Sequence, residues 1–223
     1  DGSLYVEWLT ITALHSREDA TQITEVEGSY VATFTDITHR KEAEDLLRFK
    51  ASHDTLTGLP NRSLFEDRLH LAISQAKRYR RSFALLYIDL DHFKHVNDTH
   101  GHAAGDELLT EAARRMTLCI RESDTLSRFG GDEFAALLSE VDGLEEIEDI
   151  AGRIVSALDQ RFELGQGVVN ISGSVGIAIF PQHGTTADEL KHNADLALYN
   201  VKESTRNAYR LYSAGMKAGR ARS

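Results

Sequence analysis

Apolar residues recur along this chain with two different periods. Residues 4–13 (Leu-Tyr-Val-Glu-Trp-Leu-Thr-Ile-Thr-Ala) and 29–37 (Ser-Tyr-Val-Ala-Thr-Phe-Thr-Asp-Ile) are rich in β-branched and aromatic side chains, which predicts two strands joined by a polar loop. Two strands bury too little surface to stand alone, so the opening reads as the end of a domain whose other half lies upstream. Thr38 is placed to cap a helix with Ala43, Leu46 and Leu47 on one stripe and Lys41, Glu42, Glu44 and Arg48 on the wet side. Such a narrow seam suits pairing with a second copy of the helix, and a monomeric surface helix fits the same short stripe.

From His53 the pattern becomes a compact alternation of helices and strands. Leu64, Phe65, Leu69, Ala72, Ile73 and Ala76 predict a helix over 63–79, and Phe83–Leu90 is a continuous apolar strand closed by Asp89 and Asp91. A helix over 103–120, a hairpin around Gly130, a helix over 144–158, a strand over 168–180, a helix over 186–202 and a strand over 208–212 follow. The order is close to β-α-β-β-α-β, an α/β (α+β) fold with its helices expected on one face of a sheet that contains antiparallel strands.

Composition narrows the function classes. A net charge of −10 over 223 residues argues against a sequence-independent grip on nucleic acid or on an anionic membrane. The one cysteine, Cys119, excludes an intrachain disulfide and reads as a buried thiol in a reducing compartment. No apolar run reaches membrane-spanning length and no signal peptide opens the chain, so the segment reads as soluble and cytoplasmic, whatever parent it was cut from.

The candidate chemistry centres on Arg128-Phe-Gly-Gly-Asp-Glu-Phe134. Gly130 and Gly131 supply the positive φ of a tight hairpin turn and leave a bare backbone for a ligand to approach. Asp132 and Glu133 leave that turn as hard oxygen donors for Mg²⁺, and through it for a triphosphate. In a sheet of the predicted order the apolar first strand lies beside the hairpin, so Asp89 and Asp132 converge. Two carboxylates drawn together predict a cation between them, Mg²⁺ or Mn²⁺; two solvated acids at strand ends are the plain alternative. His92, His95, His100 and His102 lie close in sequence, but without the tight pairs or cysteine of a zinc site they read better as surface or substrate-edge residues.

Five further motifs keep order and spacing with this signature: Asp54-Thr-Leu-Thr-Gly-Leu-Pro-Asn-Arg62, Asp89-Leu-Asp-His-Phe-Lys-His-Val-Asn-Asp98, Gly101-His-Ala-Ala-Gly-Asp106, Ser174-Val-Gly-Ile-Ala178, and Ala194 to Lys202 with Arg206-Asn207. Together they resemble the GGDEF-domain diguanylate cyclase family over about residues 50–212, with a nucleotidyl-cyclase, polymerase-palm-like sheet. Residues 1–40 resemble the last strands of a PAS domain. The resemblance implies a PAS remnant over 1–38, a helical linker over 39–52, a cyclase domain over 53–213 and a tail over 214–223.

The resemblance also implies roles. Asp89, the Leu90 carbonyl and Asp132 would bind two divalent metals over the phosphates of GTP, with Asp132 and Glu133 catalytic. Asp132 is also the candidate base for the ribose 3′-hydroxyl, although a metal beside that hydroxyl lowers its pKa and makes a protein base less necessary. Asn97 and Asp106 match guanine-reading positions, since an amide offers donor and acceptor and a carboxylate accepts from N1 and N2. His102 matches a further substrate contact, and Lys94, Lys202 and Arg206 match the cations set against the phosphates. Arg121-Glu-Ser-Asp124 matches the family's RxxD product-inhibition motif, with Arg153 as a second contact. The implied reaction joins two GTP into cyclic di-GMP and two pyrophosphates, and its two-fold product requires two domains facing each other as a homodimer.

Two features depart from the family pattern. Val201 precedes Lys202, and Thr205 stands where glycine normally precedes Arg206-Asn207, which would shift the helix end and misplace Arg206. The tail from Tyr212, helical in character over 216–222, resembles a connector into an EAL phosphodiesterase domain. The competing expectation is therefore a GTP-binding module that regulates a fused EAL domain with little synthesis of its own.

Overall fold

The computed structural model describes residues 6–14, 29–36, 38–165 and 167–216. The chain divides into two compact units, Asp1–Ala51 and Ser52–Ser223. In the first, strands β1 (Val6–Leu14) and β2 (Ser29–Asp36) pair antiparallel from Leu14 opposite Ser29 to Val6 opposite Asp36, with a register shift between Val6 and Leu9. Helix α1 (Thr38–Ser52) begins at Thr38, so that residue lies in the first turn and not ahead of it. Leu46, Leu47 and Phe49 are exposed on α1, while Arg40 and Lys41 pair with Glu44. The predicted loop between the strands and the tail beyond Met216 lie outside the described residues.

The second unit runs α2 (Arg62–Tyr79), β3 (Phe83–Asp91), α3 (Phe93–Thr117), β4 (Thr125–Gly130), β5 (Glu133–Leu138), α4 (Leu144–Asp159), β6 (Phe162–Leu164), β7 (Gly167–Val169), β8 (Ser172–Phe180), α5 (Ala187–Ser204) and β9 (Tyr209–Leu211). Five strands form one sheet in the order β4-β5-β3-β8-β9, antiparallel except for β8 with β9. A two-stranded ladder, β6 with β7, stands apart.

Strand β3 explains the layering. All its residues but Tyr87 are buried, and alternate side chains of a strand go to opposite faces. Leu86, Ile88 and Leu90 therefore join Leu108, Met116, Ile147 and Ile154 of α3 and α4 in one core. Phe83 and Leu85 join Phe65, Leu69, Leu190 and Ala194 of α2 and α5 in another. Helices cover both faces of the sheet, which corrects the expectation of one covered face. A strand apolar at every position needs two cores, and its unbroken run carried that information.

Helix boundaries follow local chemistry. Asn61 caps α2 by accepting from the Leu64 N–H at 3.1 Å, and Thr186 with Glu189 forms a capping box on α5. The helix expected over 103–120 ends at Thr117 and is preceded by a shorter helix from Phe93; the two meet at a kink where Gly101 has φ 83° and ψ 165°, and α3 denotes both. The strand expected over 168–180 is two strands, and β6 was not foreseen because Phe162–Leu164 is too short to show a period. Helix α5 rests directly on β8: a Cβ on Gly176 would lie 2.2 Å from the Ala194 carbonyl oxygen.

Candidate active site

Strand β3 ends where the β4–β5 hairpin turns. Asp89 lies opposite Glu133 in the ladder, and the Leu90 N–H donates to the Asp132 carbonyl at 3.3 Å. Asp89 is buried, and its Oδ1 is ion-paired with Lys202 Nζ from α5. Asp132 and Glu133 are half-buried at the hairpin. Asp89, Leu90, Asp132, Glu133 and Lys202 are thus brought together at one sheet end.

The turn needs its glycines for backbone conformation. Gly130 and Gly131 have φ of 131° and 53°, and no atom lies within 4 Å of a Cβ added at either, so the outer side of the turn is open to a ligand. The β4–β5 register shifts between Arg128 and Gly130, a bulge that re-aims the turn.

Behind the turn stands a clasp to which the sequence reading assigned no role. Arg128, 9% exposed, donates from Nε and Nη2 to the Gly131 carbonyl at 3.1 and 2.8 Å, and from Nη1 to both Asp54 oxygens at 2.9 Å. Asp54 also accepts from the Thr57 N–H at 2.9 Å and the Thr57 hydroxyl at 2.7 Å. Burial pushes the Asp54 carboxyl up, but the hydrogen bonds from Thr57 and Arg128 outweigh it and hold the group below its ordinary value. Arg62, closing the same entrance motif, stacks over Phe129 at 4.5 Å and reaches Glu133 at 3.7 Å.

The remaining expected site residues fall into two further groups. Asn97 is half-buried on the first part of α3. A Cβ on Gly105 would stand 2.0 Å from its Oδ1, so the glycine before Asp106 is what lets Asn97 lie there. Asp106 and His102 are exposed on the second part of α3, and Lys94 is exposed on its first turn. Arg121 and Arg153, both exposed, line one groove of about 630 Å³ with Asp142, Glu145, Glu146 and Asp149. Arg121 is ion-paired with Glu146, and Arg153 donates to the Cys119 carbonyl at 2.9 Å. Asp124 is buried, and its two oxygens accept from the Arg121 and Ser139 N–H groups, each at 2.9 Å.

The departure at Thr205 does not strain the helix end. Thr205 has φ −118°, open to any residue; the left-handed positions are Arg206 and Asn207, at 49° and 47°. Arg206 Nε stands 3.8 Å from Asp91, a buried carboxylate to which the sequence reading gave no role.

As a metal site, Asp89, Asp132 and the Leu90 carbonyl offer hard oxygens, the donor type Mg²⁺ and Mn²⁺ take. The Lys202 ammonium on buried Asp89 marks this sheet end as a place that demands positive charge. Among the described residues no group of three His, Cys, Asp or Glu side chains is placed to hold a metal. Two carboxylates and one carbonyl are the few protein oxygens that Mg²⁺ takes when water and substrate phosphate fill the rest of its shell.

Residues 51–208 match the family model described as "Diguanylate cyclase, GGDEF domain". The chain belongs to the GGDEF family. This GGDEF domain is 46% identical over 168 residues to the bifunctional diguanylate cyclase/cyclic di-GMP phosphodiesterase MucR of Pseudomonas aeruginosa, covering 75% of this chain and 24% of MucR. It matches the solved GGDEF domain of TpbB (YfiN) from the same species at 42% identity and a TM-score of 0.71, covering 72% of this chain and 94% of that one. A solved coiled coil and GGDEF domain of DgcB from Caulobacter crescentus, in complex with c-di-GMP, matches at 27% identity and a TM-score of 0.70, over 80% and 93% of the two chains. The chain spans roughly a fifth to two fifths of the length of the curated relatives it matches (18% and 38% for two of them). Cyclases of the GGDEF family work with divalent metal ions. No helix among the described residues is long and apolar enough to cross a membrane.

Proposed function

We propose that this GGDEF domain is a diguanylate cyclase: it condenses two GTP into cyclic di-GMP and two pyrophosphates. The observation that carries the reading is the meeting of Asp89, the open glycine turn of Asp132 and Glu133, and Lys202 at one sheet end. Each 3′-hydroxyl attacks the α-phosphate of the opposing nucleotide, the bond between α-phosphorus and the bridging oxygen breaks, pyrophosphate leaves, and the hydroxyl proton passes to solvent or to Asp132. Lys202 and Arg206 balance charge on the phosphates, and Lys94 lends a further cation from α3. Asn97 and Asp106 read the guanine edge, and His102 borders the substrate.

Asp89, Asp132 and the Leu90 carbonyl would hold Mg²⁺ or Mn²⁺, two ions per site, which would supply Lewis-acid polarisation of the phosphate oxygens and acidify the attacking hydroxyl. One domain presents one nucleotide, so turnover belongs to a homodimer, and the exposed Leu46 and Leu47 of α1 are the contacts offered for it. Residues 1–38 act as a PAS remnant whose signal the 39–52 linker relays to the domain over 53–213. Arg121 and Arg153 receive cyclic di-GMP as a feedback ligand in the groove they share, with Asp124 fixing the turn that carries Arg121. The proposed setting is the cytoplasm.

A second reading is supported by MucR, whose name carries both activities and of which this chain covers 24%: a GTP-binding module that regulates a linked EAL phosphodiesterase. One experiment separates them. The protein is incubated with GTP and Mg²⁺, then Mn²⁺, at several protein concentrations, with chromatography for cyclic di-GMP and an Asp132→Ala control. Product that rises faster than linearly with protein and is absent from the control establishes a dimeric cyclase. Saturable GTP binding without product at any concentration selects the regulatory module.

A further inference from the structure

Two carboxylates at the end of β3 meet two cations from the end of α5. Asp89 pairs with Lys202, and Asp91, two residues on and so on the same face of the strand, lies 3.8 Å from Arg206 Nε. Asp91 is 3% exposed, yet it gathers partners from two other segments, β8 and the turn after α5. It accepts from the Ser172 and Ser174 hydroxyls at 2.7 and 2.8 Å and from the Asn207 N–H at 3.2 Å. The two serines already pair with β3 through the backbone ladder, Ser174 opposite Asp89 and Ser172 opposite Asp91. The carboxylate therefore adds nothing that the sheet needs for its register.

What it adds is a hold on the turn after α5. Arg206 and Asn207 both sit in the left-handed region, which asparagine adopts readily but an arginine keeps only where its surroundings hold it. The Asn207 amide is fixed by Asp91, its side chain donates to Asp159 at 2.9 Å, and the next carbonyl, Ala208, accepts from Val175 at 2.9 Å. We propose that Asp91 is a positioning residue: by pinning Arg206-Asn207 it sets the end of α5 so that Lys202 and Arg206 stand together as one anchor for the nucleotide's phosphates. The proposal rests on the GTP reading above and assigns the buried carboxylate a task that acts through its neighbours.

The test compares Asp91→Asn with wild type in binding a non-reacting GTP analogue (α,β-methylene triphosphate) and in binding guanosine, which has no phosphate. The variant keeps the shape of the group and removes its charge. Binding of the analogue is expected to weaken roughly tenfold, the worth of one charge-assisted contact, with guanosine binding within about twofold. Equal weakening of both ligands would mean a merely loosened domain and would overturn the proposal, as would no change in either. Should wild type bind no GTP analogue, the GTP reading fails, and the pinning is decided on nucleotide-free protein by acylation of the Lys202 amine, read by mass spectrometry. A several-fold faster labelling of Lys202 in Asp91→Asn supports it, and an unchanged rate overturns it. If Asp91→Asn does not fold, Ser174→Ala, which removes one tether and leaves the carboxylate, carries the same comparison with a smaller shift in the same direction.

Discussion

Arg128 and Arg115 make the same kind of clasp at two places in the domain. Each guanidinium joins a carboxylate to main-chain carbonyls where the chain turns, a geometry that only the planar fork of arginine supplies. Arg128 joins Asp54 to the Gly131 carbonyl, inside the signature turn. Arg115 joins Glu111, at 2.9 Å, to the carbonyls of Ala157, Gln160 and Arg161 at the end of α4, and lies 3.8 Å over the Phe162 ring. The chemistry is shared and the consequence is not. One clasp fixes the loop that carries Asp132 and Glu133; the other closes a helix end against the first residue of β6. What an ion pair does for a protein is decided by which turn it holds.

Breaking each clasp should separate the two roles. Arg128→Ala frees the Gly131 carbonyl and leaves Asp54 without its cation. Displacing the turn by about 1 Å is expected to lower cyclic di-GMP formation about 100-fold or more. A variant that is folded by circular dichroism and turns over within a few-fold of wild type would strip the Arg128 clasp of its functional role. Arg115→Ala has the opposite profile. It is expected to cost about 2 kcal/mol of stability, because three carbonyls lose their Arg115 donor and Glu111 keeps only its bonds from Arg114. Turnover per folded molecule, measured well below the melting transition, should stay at the wild-type level.

Acid sharpens the contrast. The hydrogen bond from Arg114 does most to pull the Glu111 carboxyl down; burial opposes it, Arg115 adds to it, and the pKa falls to about 2 from an ordinary 4.5. A depressed carboxylate contributes fully above its unfolded-state pKa and loses that contribution as pH falls through the folded value. In Arg115→Ala the bonds from Arg114 still hold Glu111 below 4.5, so the stability gap to wild type, read from urea midpoints, should be widest near neutrality and shrink only in part, below pH 4.5 and on the way to about 2. A gap that stays constant across that window would mean that packing over Phe162, and not the ion pair, carries the Arg115 clasp.

Much of this was legible in the residues. The apolar run Phe83–Leu90 announced a central strand, and the Gly-Gly pair announced the hairpin beside it; both stand as expected. The meeting of Asp89 with the Asp132 turn followed from the expected order of the strands, which the backbone ladder realises. Side-chain partners that no strand pairing brings together were not legible. Nothing in the spacing of Asp54 and Arg128 tells that they touch, although both stood inside quoted motifs. Asp91 was visible as a strand-end acid, but its burial among Ser172, Ser174 and Asn207 depends on three segments folding together. The first part of α3, from Phe93, was not foreseen because the non-helical backbone at Gly101 ends it before an amphipathic period can build up.

The mildest way to probe the functional clasp is Thr57→Val. It keeps the shape of the side chain and removes the hydroxyl that donates to Asp54 at 2.7 Å, while the Thr57 N–H and the Arg128 contact remain. One of the donors holding the carboxylate is lost, so stability should fall by about 1 kcal/mol. Asp54 still carries its charge against Arg128, so the turn should stay in place and turnover should drop only a few-fold. A loss as deep as that of Arg128→Ala would mean that the aim of Asp54, set by Thr57, matters as much as its charge. The clasp behind the signature turn would then be a three-residue device, unlike the one at Arg115, whose arginine is held by Glu111 and main-chain carbonyls.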